Sequence, residues 1–307
     1  MSGKNVTEVL AAGPQGLARA AQILESGGLV AVPTETVYGL AARADSPEAV
    51  ARIYAAKGRP SFNPLIVHVS GAAQAERYAV LSDQARALMA AHWPGPLTLV
   101  LPLREDAILA SAVTAGLSTV ALRAPAHPVM RELLAAVDFP LAAPSANRSG
   151  FISPTTAEHV LASLDGRIEM VLDGGPCDAG VESTIVALRA DGRIETLRPG
   201  PVLLGEQAHG ATGGIEAPGQ LASHYAPGKP VRLGATGAEP DEFLIGFGAV
   251  PGDVTLSASG NLEEAAARLY ACLHDGAKSA HARIAVAPVP EVGVGLAIND
   301  RLRRAAT

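Results

Sequence analysis

At 307 residues the chain is long enough for two domains, each with its own core. Hydrophobic residues make up 48% of it but aromatic ones only 4%, so those cores must be built mainly from Ala, Val, Leu and Ile. The formal charge of −6 and the lack of a basic tail exclude the usual electrostatic footprint of a nucleic-acid binder, so any RNA contact would need a local patch.

Leu17, Ala20, Ala21 and Leu24 recur at helical spacing within residues 16–26, and Gly27-Gly28 ends that helix before a strand. The strand, Leu29-Val30-Ala31-Val32, is halted by Pro33, which has no N–H to give a central ladder. Its exit loop, Thr34-Glu35-Thr36-Val37-Tyr38-Gly39, gathers two hydroxyls, a carboxylate and a phenol. Polar groups pinned at a strand end must find partners, so this composition is costly as mere filling. Ser46-Pro47-Glu48 predicts a helix start with Ser46 as N-cap, and Val50, Ile53 and Tyr54 supply an apolar stripe. The helix stops at Lys57-Gly58-Arg59-Pro60, which projects two cations from one turn. Asn63-Pro64 then leads into the strand Leu65-Ile66-Val67, closed by His68.

A further helix opens at Ser82-Asp83-Gln84, and a strand follows at residues 97–101. In the strand around residues 118–123, alternation places Thr119, Ala121 and Arg123 on one face. An arginine at a strand end is usually an exposed cation, but apolar flanks favour a pocket, where the planar fork can hold a carboxylate with two hydrogen bonds. His127-Pro128 starts another helix. In the segment Ala143-Pro144-Ser145-Ala146-Asn147-Arg148-Ser149-Gly150, small residues let backbone approach a ligand, and the hydroxyls and amide can donate to phosphate or ribose oxygens. Such clusters are more often ordinary turns. Ser153-Pro154-Thr155-Thr156 with Glu158 predicts a helix start, Val171-Leu172-Asp173 a strand, Glu182-Ser183-Thr184-Ile185-Val186 the beginning of another, and residues 194–200 a strand that ends on Arg198.

Residues 201–230 are rich in Gly and Pro and have little periodicity, as in a linker. Beyond it, strands are expected at residues 231–233, 243–247, 254–256 and 283–287, with a helix capped by Asn261 and striped by Leu262, Ala265, Leu269 and Leu273. This alternation predicts a small open sheet. Gly293 and Gly295 are not followed by a phosphate-binding lysine, so they do not form a P-loop. Cys177 and Cys272 lack paired spacing, which argues against a disulfide framework or a zinc site. No apolar run approaches the roughly 20 residues needed to span a bilayer, and no signal segment begins the chain, so a cytoplasmic, membrane-free protein is expected.

The segment PTETVYGL, followed by IY..KGRP...PLIVHV, closely resembles the signature of the YrdC-like threonylcarbamoyladenylate synthases. PGPLT, PSAN.SG, DGG…ESTI and PG…HYAP extend the resemblance over nearly the whole chain. Some members carry basic residues between PG and HYAP, where this chain has Gln220, Leu221, Ala222 and Ser223. The resemblance implies an α/β fold: a YrdC-like twisted mixed-sheet domain with helices over residues 1–200, a linker over 201–230 and a smaller Rossmann-like α/β domain over 231–307. The implied reaction joins L-threonine, bicarbonate or CO2, and ATP into L-threonylcarbamoyladenylate with release of pyrophosphate, supplying the threonylcarbamoyladenosine modification of tRNA.

The implied roles follow residue by residue. Thr36, His68, Arg123, Ala143 and Ser183 would form the threonine side, with Arg123 on the carboxylate and Ala143 contributing backbone. Lys57, Arg59, Asn63, Thr119, Ser145, Ser153, Arg198 and Tyr225 would form the ATP side, with Lys57 and Arg59 also catalytic. Mg²⁺ would accompany ATP without a dedicated protein site. A tRNA threonylcarbamoyl transferase complex would take the product, with weak or no direct tRNA binding by this chain. The related hydrogenase-maturation carbamoyltransferases carry a cysteine-rich zinc-finger pattern and an acylphosphatase-like region that this chain lacks. A non-enzymatic RNA-binding module is disfavoured by the acidic balance and the absence of aromatic clusters.

Overall fold

The computed structural model describes residues 6–189, 191–204, 206–207, 215–220 and 224–307. Part of the expected linker, including Leu221, Ala222 and Ser223, lies outside the described residues. The chain opens with β1 (Glu8–Ala11), α1 (Pro14–Glu25), β2 (Val30–Val32) and β3 (Gly39–Arg43), then α2 (Pro47–Lys57) and β4 (Ile66–His68). As the sequence predicts, the Ser46 hydroxyl accepts a hydrogen bond from the Ala49 amide to start α2, and Gly58 ends it in the left-handed conformation at φ 59°. The middle of the chain supplies α3 (Ala72–Ala75), α4 (Asp83–His92), β5 (Leu97–Pro102), α5 (Ser111–Thr114), β6 (Thr119–Arg123), α6 (Pro128–Ala136) and β7 (Leu141–Ala142). It is followed by α7 (Ala157–Leu164), β8 (Met170–Asp173), β9 (Thr184–Leu188), β10 (Ile194–Arg198) and β11 (Glu206–Gln207).

These strands form one mixed sheet in the order β1-β8-β2-β3-β7-β4-β6-β5-β9-β10-β11. Its residues alternate between two apolar layers, as the period of two requires. Ala31, Val67, Leu99, Leu122 and Val186 pack into one large cluster. On the other side Val30, Val32 and Met170 join a second cluster, while Ile66, Val100, Ala121 and Ile185 form a third. Along the face of this third cluster the apolar residues give way two positions on to His68, Thr98, Arg123 and Ser183, all of them buried. A polar site is thus built as the continuation of an apolar sheet face.

The second unit has a parallel sheet, β12-β15-β13-β14, formed by β12 (Val231–Leu233), β13 (Glu242–Gly246), β14 (Val254–Thr255) and β15 (Arg283–Val286). It packs on α8 (Leu262–Lys278), capped by the Asn261 side chain as expected, and on α9 (Gly295–Ala305). The sequence reading drew no helix over α9 and no strand for β1, β3, β7 or β11. It also started β9 two residues early, because Glu182 and Ser183 precede the ladder.

The two units share a core. Val37, Ile152, Val181 and Tyr225 pack in the same cluster as Leu269, Tyr270, Ile298 and Leu302. At the seam Gly180 has φ +68°, and a Cβ there would lie 2.3 Å from the Ala266 carbonyl oxygen of α8. Only glycine admits so close an approach.

Candidate active site

A cavity opens where the exit loop after β2, the ends of β4 and β6, the 143–145 turn, and the residues just before β9 meet Pro218, Gly219, His224 and Tyr225. Of the residues expected from sequence, Thr36, Arg59, His68, Arg123, Ala143, Ser145, Ser183, Arg198 and Tyr225 line it. Lys57, Asn63 and Ser153 stand behind that lining. Thr119 lies at the opposite end of β6 from Arg123, roughly 13 Å away at the usual strand rise, and does not line the cavity.

The cations divide into two kinds. Arg123 is compensated: it donates to Glu35 Oε1 at 2.6 Å, to Thr36 Oγ1 at 3.0 Å and to the Gly95 carbonyl at 3.3 Å. Glu35 also accepts from the Ala126 amide, and its pKa is lowered because Arg123 and these hydrogen bonds overcome the opposing effect of burial. Arg59, Arg198 and Lys57 have no carboxylate salt bridge among the described residues. Arg59 donates to the carbonyls of Asn63 and Pro64, and Arg198 to the carbonyl and hydroxyl of Ser183. The Lys57 ammonium is held by the carbonyls of Ser145 and Asn147, each at 2.5 Å. Burial and then the charge of Arg59 push the Lys57 pKa well down, while burial brings that of Arg59 to about 10. Buried cations held only by dipoles are an incomplete arrangement that an anionic ligand completes.

The neutral groups show the same incompleteness. Both amide atoms of Asn63, Nδ1 of His68, Oδ1 of Asn147, Nδ1 of His224 and the Tyr225 hydroxyl are buried without a hydrogen-bond partner among the described residues. Orphaned polar atoms are rare in folded proteins, and three of these residues, His68, His224 and Tyr225, line the cavity. Burial, followed by the charge of Arg123, pulls the His68 pKa to about 3, so the ring is neutral near neutral pH. On the 143–145 turn, Gly39 sits so close that a Cβ there would come 3.2 Å from the Ala143 methyl, in keeping with an approach by backbone. Thr98 and Ser183 share a hydroxyl hydrogen bond at 2.8 Å. Tyr38, outside the expected set, packs in the core with its hydroxyl on the Gly175 carbonyl at 2.7 Å.

Sequence reasoning gave no role to Glu35, Glu182 or His224, nor to Tyr270 and Arg301 of the second unit; the Asn147 amide, expected to donate to a ligand, instead donates to the carbonyls of Arg148 and Phe151. Glu182 lines the cavity and accepts from Ser153 Oγ at 2.5 Å, from Tyr270 Oη at 2.8 Å and from Arg301 Nε at 2.8 Å. A signal for Arg301 was available: it falls within the apolar stripe of Ala297, Ile298 and Leu302, where a charge needs a buried partner.

Comparison with known proteins gives matches along the whole chain. A family model described as "Telomere recombination" matches residues 22–200, and one described as "Threonylcarbamoyl-AMP synthase, C-terminal domain" matches residues 192–307. The threonylcarbamoyl-AMP synthase of Bacillus subtilis is 41% identical, with 98% of this chain and 96% of that one covered. That of Pyrococcus abyssi is 39% identical, with 94% and 93% covered. The crystal structure of P. abyssi Sua5 complexed with L-threonine superposes with a TM-score of 0.88 at 34% identity over 98% of this chain and 97% of that one.

Proposed function

We infer the reaction from the family, because this chain belongs to the two-domain threonylcarbamoyl-AMP synthases. It is an L-threonylcarbamoyladenylate synthase, an enzyme that makes the adenylate from L-threonine, bicarbonate or CO2, and ATP, with pyrophosphate as the other product. The observation that carries this reading is the pairing, in one cavity, of a compensated arginine with buried cations that have no carboxylate salt bridge among the described residues.

Arg123 suits the threonine carboxylate. Its guanidinium is fixed by Glu35 and Thr36, and a bound carboxylate would find a fork already oriented. Thr36, His68, Ser183 and the backbone of Ala143 complete that side. Arg59 and Arg198, with Lys57 behind them, suit the phosphates, and Ser145, Asn63, Ser153 and Tyr225 the rest of the nucleotide. Thr119 would reach the nucleotide only from the far end of β6.

The threonine amine is carboxylated, and a carbamate oxygen then attacks the α-phosphorus of ATP while the bond to pyrophosphate breaks. No covalent intermediate on the protein is needed, so catalysis rests on positioning and on fixed positive charge at the transferring phosphate. Mg²⁺ enters as part of the ATP substrate. No group of three or more His, Cys, Asp and Glu suited to a metal occurs among the described residues, and both carboxylates at the site are held by arginines.

The product would pass to a tRNA threonylcarbamoyl transferase complex, with weak or no direct tRNA contact here. Among the described residues no helix is long and apolar enough to cross a membrane; the proposed place of work is the cytoplasm. The chain divides into a catalytic domain at 1–200, a linker at 201–230 and a covering domain at 231–307. Pyrophosphate release from ATP tests the proposal. Release that requires both L-threonine and bicarbonate supports it, and release indifferent to either co-substrate contradicts it.

A further inference from the structure

Glu182 is out of place in a cavity for polyphosphate. It lines the same wall as Arg198, is 6% exposed, and would bring a full negative charge beside the phosphates. The carboxylate is ionised: burial favours the neutral acid, but Arg301 and then Arg198 hold the pKa at about 2. Its charge is met from the second domain. Arg301 of α9, fully buried, donates from Nε at 2.8 Å while its Nη1 pairs with Asp300, a carboxylate also met by Arg304, and Tyr270 of α8 donates its hydroxyl to the carboxylate of Glu182. The next residue, Ser183, is the one whose carbonyl and hydroxyl hold Arg198. A path of single contacts thus runs from α9 through Glu182 and Ser183 to an arginine of the phosphate side.

We propose that Arg301 is a positioning residue that cancels the charge of Glu182 and so leaves Arg198 and Arg59 free for an anionic nucleotide. On this account the second domain contributes a charge to the site as well as a cover. Without Arg301, Glu182 compensates Arg198 instead, and the nucleotide faces a carboxylate where it needs a cation. Threonine, on the Arg123 side, is little affected. The inference rests on the assignment of ATP to this cavity.

The test is calorimetric titration of the full-length protein with ATP and, separately, with L-threonine, for the wild type, Arg301→Gln, Glu182→Gln and the double variant. Arg301→Gln is expected to weaken ATP binding about ten-fold or more and threonine binding less than about two-fold, and adding Glu182→Gln is expected to restore most of the ATP affinity. A purely structural arginine would weaken ATP and threonine binding together, so the selective loss for ATP is the reading that separates the two roles. Unchanged ATP affinity in Arg301→Gln, or a double variant as weak as the single one, would overturn the proposal. Should Arg301→Gln fail to fold, Glu182→Gln alone decides: affinity for ATP equal to or tighter than wild type is expected, and a ten-fold loss overturns it. A folded wild type that binds no ATP would instead remove the nucleotide assignment, and this inference with it.

Discussion

Arg123 and Glu35 form an ion pair of 2.6 Å, with the arginine side chain 5% and the glutamate side chain 13% exposed. The pair joins the end of β6 to the loop after β2, and it gives the guanidinium a fixed orientation before any ligand arrives. Replacing Arg123 by Ala removes the threonine fork and strands Glu35 without its partner. Threonine binding is expected to fall at least about 100-fold, as for a truncated charge pair, and ATP binding much less. Equal losses of both in calorimetry would refute the assignment of Arg123 to threonine.

Gly219 tests the phosphate side. Its φ is +85°, and a Cβ there would lie 2.8 Å from Cδ of Arg198 and 3.2 Å from the Tyr225 hydroxyl. Gly219→Ala should therefore displace Arg198, raise the KM for ATP and lower kcat by about ten-fold or more, since small misplacements of a positioning group are costly. Activity at the wild-type level would show that Arg198 is not held for the nucleotide.

The seam between the domains can be opened at one atom. Gly180→Ala would drive a methyl group against the α8 backbone, 2.3 Å from the Ala266 carbonyl oxygen and 2.4 Å from the Ala267 Cα, neither of which can swing aside. Overpacking of this kind costs about 1–3 kcal/mol. A lowered Tm together with reduced synthase turnover is expected, because the contacts of Tyr270 and Arg301 to Glu182 cross the same seam. Full stability in a differential scanning measurement would contradict the close docking.

Stability should fall on acidification. Burial, ahead of the charges around them, holds His68, His159 and His224 at about 3, against an ordinary value of 6.5. The unfolded chain takes up these protons as pH drops through 6.5, while the folded one resists until about 3. The stability they contribute is therefore complete above 6.5 and lost between 6.5 and 3. Glu182, lowered from 4.5 to about 2 by Arg301 against the pull of burial, extends the loss below 4.5. Thermal unfolding should show a Tm that declines steadily from about pH 7 to about pH 4; a flat or rising Tm would contradict the buried neutral state of these rings.

Much of this architecture is local and was legible as such. Ser46, Pro47 and Gly58 delimit α2, Pro33 ends β2, and the alternation in β6 puts Arg123 on the face it occupies. Two-residue strands such as β7 leave no period to detect, and β3 was hidden within a run of small apolar residues. Thr119 shows the limit of reasoning by face, because residues on one face of a strand can still lie at opposite ends of it. Glu182 and Arg301 are 119 positions apart. Their pairing depends on how the two domains dock, which no local pattern records.

The most direct test of the central claim is mass analysis of the nucleotide product made from ATP, L-threonine and isotopically labelled bicarbonate. The account predicts a threonylcarbamoyl adenylate that carries the bicarbonate carbon and appears in step with pyrophosphate. An adenylate of threonine lacking that carbon, or pyrophosphate with no adenylate at all, would contradict it.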